Sequence, residues 1–96
     1  MVILVLTEHL RLRLRIRKIP NRYPQEIYNS PDFIFFDVVE QKGIAIKKLQ
    51  YNKKIRNMMI AYEEKGQTVE IITIHPITEE KIINRVINGR WRRKHG

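Results

Sequence analysis

The chain of 96 residues carries 19 Lys and Arg against 10 Asp and Glu, a formal net charge of +9, and 43% of it is hydrophobic. That length holds one domain core, and that composition excludes a wholly disordered or fibrous chain. The lack of cysteine excludes a disulfide framework, a thiolate nucleophile and a Cys-type zinc site, so the cytoplasm is the expected location.

Residues 1–6 form an apolar run too short for a membrane span, with no basic region before it, and are expected as a buried strand rather than a signal peptide. The stretch Leu10-Arg-Leu-Arg-Leu-Arg-Ile-Arg17 alternates strictly, which is a strand signal. Thr7 as an N-cap, Glu8 at the positive end of a helix dipole, the helix propensity of Leu and Arg, and the stop at Ile19-Pro20 argue instead for a helix. The residues alone leave both readings open. Within 23–32, Pro24 begins a short helix that Ser30-Pro31 closes. Segments 33–39, 44–49, 55–63 and 68–74 read as four strands of an antiparallel meander, with Gly43 and Gly66 supplying positive φ in its hairpins. A last helix follows, capped by Thr78, with Glu79 and Glu80 in its first turn, Ile82, Ile83, Val86 and Ile87 as one apolar stripe, and Gly89 just past its end. The expected architecture is α+β: a short N-terminal strand, two helices, a four-stranded antiparallel sheet meander and a C-terminal helix. Residues 1–89 make the single domain and 90–96 a basic tail.

The charge is unevenly placed. Residues 8–22 carry +5 and residues 85–96 another +5, while 23–84 sums to −1. Clustered cations with few acidic neighbours suit a polyanion, nucleic acid first, whereas an ordinary solvated face is the plainer reading.

The spacing His9-x-x-x-Arg13-x-x-x-Arg17-x-Ile19, with Ser30-Pro31-Asp32 and Ile71-Ile-Thr-Ile-His-Pro76, resembles a group of small prokaryotic domains that begin with a His-x-x-x-Arg helix and share the look of RelE- and BrnT-type toxins of toxin–antitoxin modules. The resemblance spans roughly residues 7–76. It departs at Leu10, where the family usually has a small residue, at Lys18, where it has Gly, and in the basic tail. It implies that 8–18 is helical, that the fold is a RelE-like sheet with helices packed on it, and that the protein is a ribonuclease or an inactive relative of one.

On a helix, positions 9, 13 and 17 stand above one another. A metal-independent ribonuclease needs a base for the 2′-hydroxyl, an acid for the leaving oxygen and cations for the phosphate. His9 can supply proton transfer, Arg13 and Arg17 the charge, and His75, after the last strand, the complementary acid. The competing reading has His9 packing at a helix start and the arginines paired with Glu26, Asp32 or Asp37. Arg11, Arg15, Arg17, Arg56, Arg90, Arg92 and Arg93 are further candidates for nucleic-acid contacts. Trp91 either stacks on an unpaired base or anchors the last helix to the core. Tyr51 and Tyr62 read as core-edge residues, or else as stacking platforms or proton donors. The expected function is a RelE/BrnT-like RNA-binding toxin with endoribonuclease activity and no metal or cofactor. It would act on free or ribosomal RNA, with an acidic antitoxin over the basic face, no membrane and a homodimer left open. The alternatives are a non-catalytic nucleic-acid-binding module and a small interaction subunit that meets an acidic protein.

Overall fold

The Thr7 hydroxyl accepts a hydrogen bond from the Leu10 backbone N–H at 3.1 Å, and from this cap the chain winds into α1 (Glu8–Ile16). The computed structural model, which describes residues 2–94, settles the alternating segment as a helix. Its alternation holds two apolar rows rather than one. Leu10 and Leu14 lie one turn apart and are fully buried, whereas Leu12 and Ile16 stand on the outer side, 50% and 68% exposed. The helix ends as Lys18 turns to φ 55°, with the Lys18 N–H on the Arg15 carbonyl at 3.2 Å and the Ile19 N–H on the Leu14 carbonyl at 2.9 Å. This double bond pattern is a Schellman ending, and the buried Ile19 completes it. Helix α2 (Tyr23–Asn29) follows, with Pro24 in its first turn.

The strands are β1 (Ile3–Leu6), β2 (Phe33–Asp37), β3 (Lys42–Tyr51), β4 (Lys54–Lys65), β5 (Thr68–Pro76) and β6 (Trp91–Arg93), with α3 (Glu79–Ile87) between the last two. They form one six-stranded sheet in the order β1-β5-β4-β3-β2-β6. The expectation of a four-stranded antiparallel meander is therefore corrected. Strands β2 to β5 do run antiparallel, but β1 adds to β5 in parallel and β6 adds to β2, so the sheet is mixed. Strand β6 comes from the segment expected to be a tail. Its ladder is closed by Val38 N–H on the Arg90 carbonyl at 2.9 Å and Lys94 N–H on the Ile34 carbonyl at 3.0 Å, while Trp91 is buried and Arg92 and Arg93 stay exposed. Residues 95–96 of that segment lie outside the described residues.

Alternation along the strands divides the core into two layers. On one face Ala45, Met58, Ile60, Val69, Ile71 and Ile74 pack against α1 and α2 through Leu10, Leu14, Ile19, Tyr23 and Ile27. On the other, Phe35, Ile44, Ile46, Met59, Ala61 and Trp91 form a second cluster, and α3 contributes Ile82 to it. The expected four-residue stripe of α3 is not buried as a unit: Ile83, Val86 and Ile87 are 54%, 43% and 76% exposed. The strand β5 register slips by one against β4, where Ala61 faces Thr73 and Tyr62 faces Ile71, leaving Ile72 as the extra residue of a bulge.

Gly66 does take positive φ, 63°, but Gly43 does not. The left-handed residue of the β2–β3 turn is Gln41, at φ 59°. Gly43 lies inside β3 opposite Tyr62, and a Cβ there would come within 2.4 Å of the Tyr62 ring. Its missing side chain is the space the ring fills. Gly43→Ala is expected to lower stability by about 1–3 kcal/mol through this overlap, read from the urea midpoint.

Candidate nucleic-acid interface and a second cleft

Helix α1 packs over β5 and turns three rows of side chains to solvent. On one flank Arg11, Arg15 and Lys18, with Asn21, border an open cleft of about 390 Å³. On the other flank His9, Arg13 and Arg17 follow one another by single turns, and between the flanks runs the exposed crest of Leu12 and Ile16. The carboxylates proposed to neutralise these arginines are engaged elsewhere: Glu26 with Arg22 at 3.0 Å and Asp37 with Arg90 at 3.0 Å. The Asp32 carboxylate accepts from the Lys48 backbone N–H at 2.8 Å. Among the described residues, Arg11, Arg13, Arg15, Arg17 and Lys18 have no carboxylate within ion-pair distance. Arg17 instead reaches the Ile74 carbonyl at 3.4 Å, and its own carbonyl accepts from the Tyr51 hydroxyl at 2.8 Å. The Tyr51 carbonyl in turn accepts from Arg56 Nε at 3.0 Å, so Tyr51 ties Arg56 to the end of α1 on the same sheet face. Tyr62 is a core residue at 4% exposure; burial first, then the negative charge of Glu64, pushes its hydroxyl up to about 12, so it stays protonated through neutrality.

His75 is not on this side. In strict alternation from Val69 and Ile71 it would share their face, toward α1, but the bulge at Ile72 reverses the parity. Ile74 therefore enters the α1 layer, and His75, opposite Met59, faces the α3 layer. The expected convergence of His9 and His75 is corrected: the sheet lies between them. The terminal arginines do not join Arg13 and Arg17 either. Strand β6 is the far edge, four strand spacings from β5, which is about 19 Å.

Trp91 cannot stack on a base, because it is 3% exposed and lies against Phe35 with ring centroids 5.5 Å apart. Its indole N–H donates to Asp37 Oδ2 at 3.0 Å. Arg90 Nε donates to both oxygens of the same carboxylate, at 3.2 and 3.0 Å, and the N–H groups of Val39 and Glu40 donate to Oδ1 at 3.0 and 2.9 Å. Arg90 is thus a structural cation, and the nucleic-acid role proposed for it is withdrawn. The role of Asp37 was missed from sequence, although an Asp at the head of a turn is the residue that caps the two N–H groups that follow. Beside this node, a second cleft of about 300 Å³ opens between α3 and the sheet, with His75, Lys81, Arg85 and Trp91 around it. No three His, Asp or Glu side chains among the described residues cluster as a metal site.

No family model, curated protein or solved structure matches the chain. No helix among the described residues is long and apolar enough to cross a membrane.

Two outcomes follow from these contacts. Lys18 holds a left-handed conformation that glycine adopts without strain, so Lys18→Gly is expected to raise stability by about 1 kcal/mol while removing one cation from the α1 cleft. Burial alone would raise the Asp37 carboxyl, but the Glu40 N–H, the Trp91 indole and the Arg90 guanidinium outweigh it and hold it below the usual carboxylate range. A depressed carboxylate contributes stability above its unfolded value, about 4, and loses that contribution as pH falls through the folded value. Asp37→Asn is expected to cost about 3 kcal/mol at neutral pH. Denaturant titrations should show this deficit shrinking once the pH drops below about 4.

Proposed function

We propose that the protein is an RNA-binding protein of the RelE/BrnT toxin type, acting in the cytoplasm and gripping the phosphate backbone through α1. The observation that carries this reading is the set of five cations without carboxylate partners among the described residues, gathered on α1 and its C-terminal turn with Arg56 tied to that turn. Uncompensated guanidiniums repel one another, and a phosphate chain relieves that repulsion while releasing its counterions. The geometry favours binding over cleavage, because His9 has lost the partner that His75 was expected to be. Anisotropy titrations of a labelled RNA oligonucleotide should show affinity falling steeply with salt. The triple substitution Arg11→Gln, Arg15→Gln, Lys18→Gln should weaken binding at least about tenfold and lower the salt slope by about 2. Salt-insensitive binding, or a triple variant that binds equally, would refute the reading.

The exposed crest favours a second reading. Leu12 and Ile16 stand 50% and 68% exposed between two rows of cations, a pattern that suits an acidic amphipathic segment such as an antitoxin. The double substitution Leu12→Ser, Ile16→Ser separates the two: it should leave RNA affinity unchanged and weaken binding to an acidic partner protein.

A further inference from the structure

The cleft on the opposite face combines two features that do not belong together in a closed core. Its floor is apolar, made by Ile44, Met59, Ala61, Ile72 and Ile77. Its roof is cationic: Lys81 and Arg85, one helical turn apart on α3, border the space while Ile83 and Ile87 of the same helix turn to solvent. Close packing would normally fill a volume of about 300 Å³ with apolar side chains. Helix α3 cannot roll to do so, because both ends are pinned. At its start, the Ile77 N–H is bound to the Asn57 carbonyl at 2.9 Å; past its end, Arg90 is held by Asp37. The bulge widens the floor by bringing Ile72 and Thr73 to the same side.

The charges around the cleft are unequal in their pairing. Asp37 is saturated by its four donor groups, Glu40 reaches Arg90 at 3.7 Å, and Lys42 is bridged to Glu63. Lys81 and Arg85 have no carboxylate within ion-pair distance among the described residues. Arg85 is half-buried, with its guanidinium carbon 6.0 Å from the centre of the Trp91 ring. His75 stands in the wall, its Nδ1 2.9 Å from the Pro76 carbonyl.

We propose that this cleft binds a small aromatic anion, its ring on the apolar floor and one carboxylate or phosphate group against Lys81 and Arg85. The volume is at the lower limit of small-molecule sites, which selects one ring system with a single anionic group over a larger ligand. The site is independent of the RNA reading, since α1 lies across the sheet.

Trp91 is the single tryptophan of the chain and borders the cleft, so its emission reports occupancy. Titration with benzoate and with phenyl phosphate, against neutral benzamide and benzyl alcohol, should give a saturable change for at least one anion, with a dissociation constant below about 1 mM. Whichever anion saturates tells carboxylate from phosphate. The double variant Lys81→Gln, Arg85→Gln should weaken binding at least about tenfold, Ala61→Phe should abolish it by filling the floor, and the α1 triple variant should bind as the parent does. The proposal is overturned if neither anion saturates, if the neutral analogues bind equally well, or if the Lys81/Arg85 variant, shown folded by circular dichroism, binds unchanged.

Discussion

The carboxylate of Asp37 is the one buried charge among the described residues, and four N–H donor groups from two distant parts of the chain converge on it. An uncompensated carboxylate at that depth costs several kcal/mol, so the turn after β2 and the segment after α3 must come together for either to be stable. That requirement makes β6 a strand: once Arg90 and Trp91 are held, the residues that follow fall into register with β2. It also fixes where α3 ends, and hence which of its side chains look down on the sheet. The sheet's outer edge, the position of the indole and the shape of the second cleft all depend on this one group.

Equal charges in the sequence have unequal meanings in the fold. The N-terminal cluster stays a field source, since the guanidiniums of α1 find backbone carbonyls or solvent in place of carboxylates. The C-terminal cluster is dispersed. Arg90 is neutralised by Asp37, Lys94 meets Glu64 at 3.3 Å, and Arg85 lies over an indole. Arg92 and Arg93 remain as exposed cations on an edge strand, where charge also discourages pairing with another sheet. A net charge of +9 therefore describes one cationic helix and a C-terminal cluster divided among an ion-paired node, a cleft and an edge strand, rather than a uniformly basic molecule.

Much of the local structure was legible because it depends on neighbours in sequence. Thr7 and Thr78 cap the helices they precede, Pro24 opens α2, and Gly66 takes the left-handed turn. What was not legible depends on partners far away. Strand β6 has only three residues, too few for a period to show, and its stabilising contact joins positions 53 residues apart. The helix-or-strand tie in α1 arose because leucine and isoleucine occupy both the buried and the outer row, so both periods fit equally. The choice is made by Ile19 and the sheet beneath, which accept only Leu10 and Leu14.

The separation of His9 from His75 shows how little it takes to move a functional group. A strand presents a new face at every residue, so one inserted residue transfers everything beyond it to the other side. Here the insertion is Ile72, itself apolar and able to sit on either face, and no residue type in the segment marks it. Its effect is nonetheless selected by packing. Unshifted alternation would bury His75 toward α1 and turn Ile74 out; the bulge instead places Ile74, fully buried, in the same cluster as Leu14 and Ile19 and releases the imidazole to a cleft. Burying an aliphatic side chain rather than an imidazole favours the shifted register by about 1–2 kcal/mol, enough to offset the disturbed ladder. The histidine's position is thus a consequence of where the isoleucine had to go, which is why a reading of the chemistry alone put it on the wrong face.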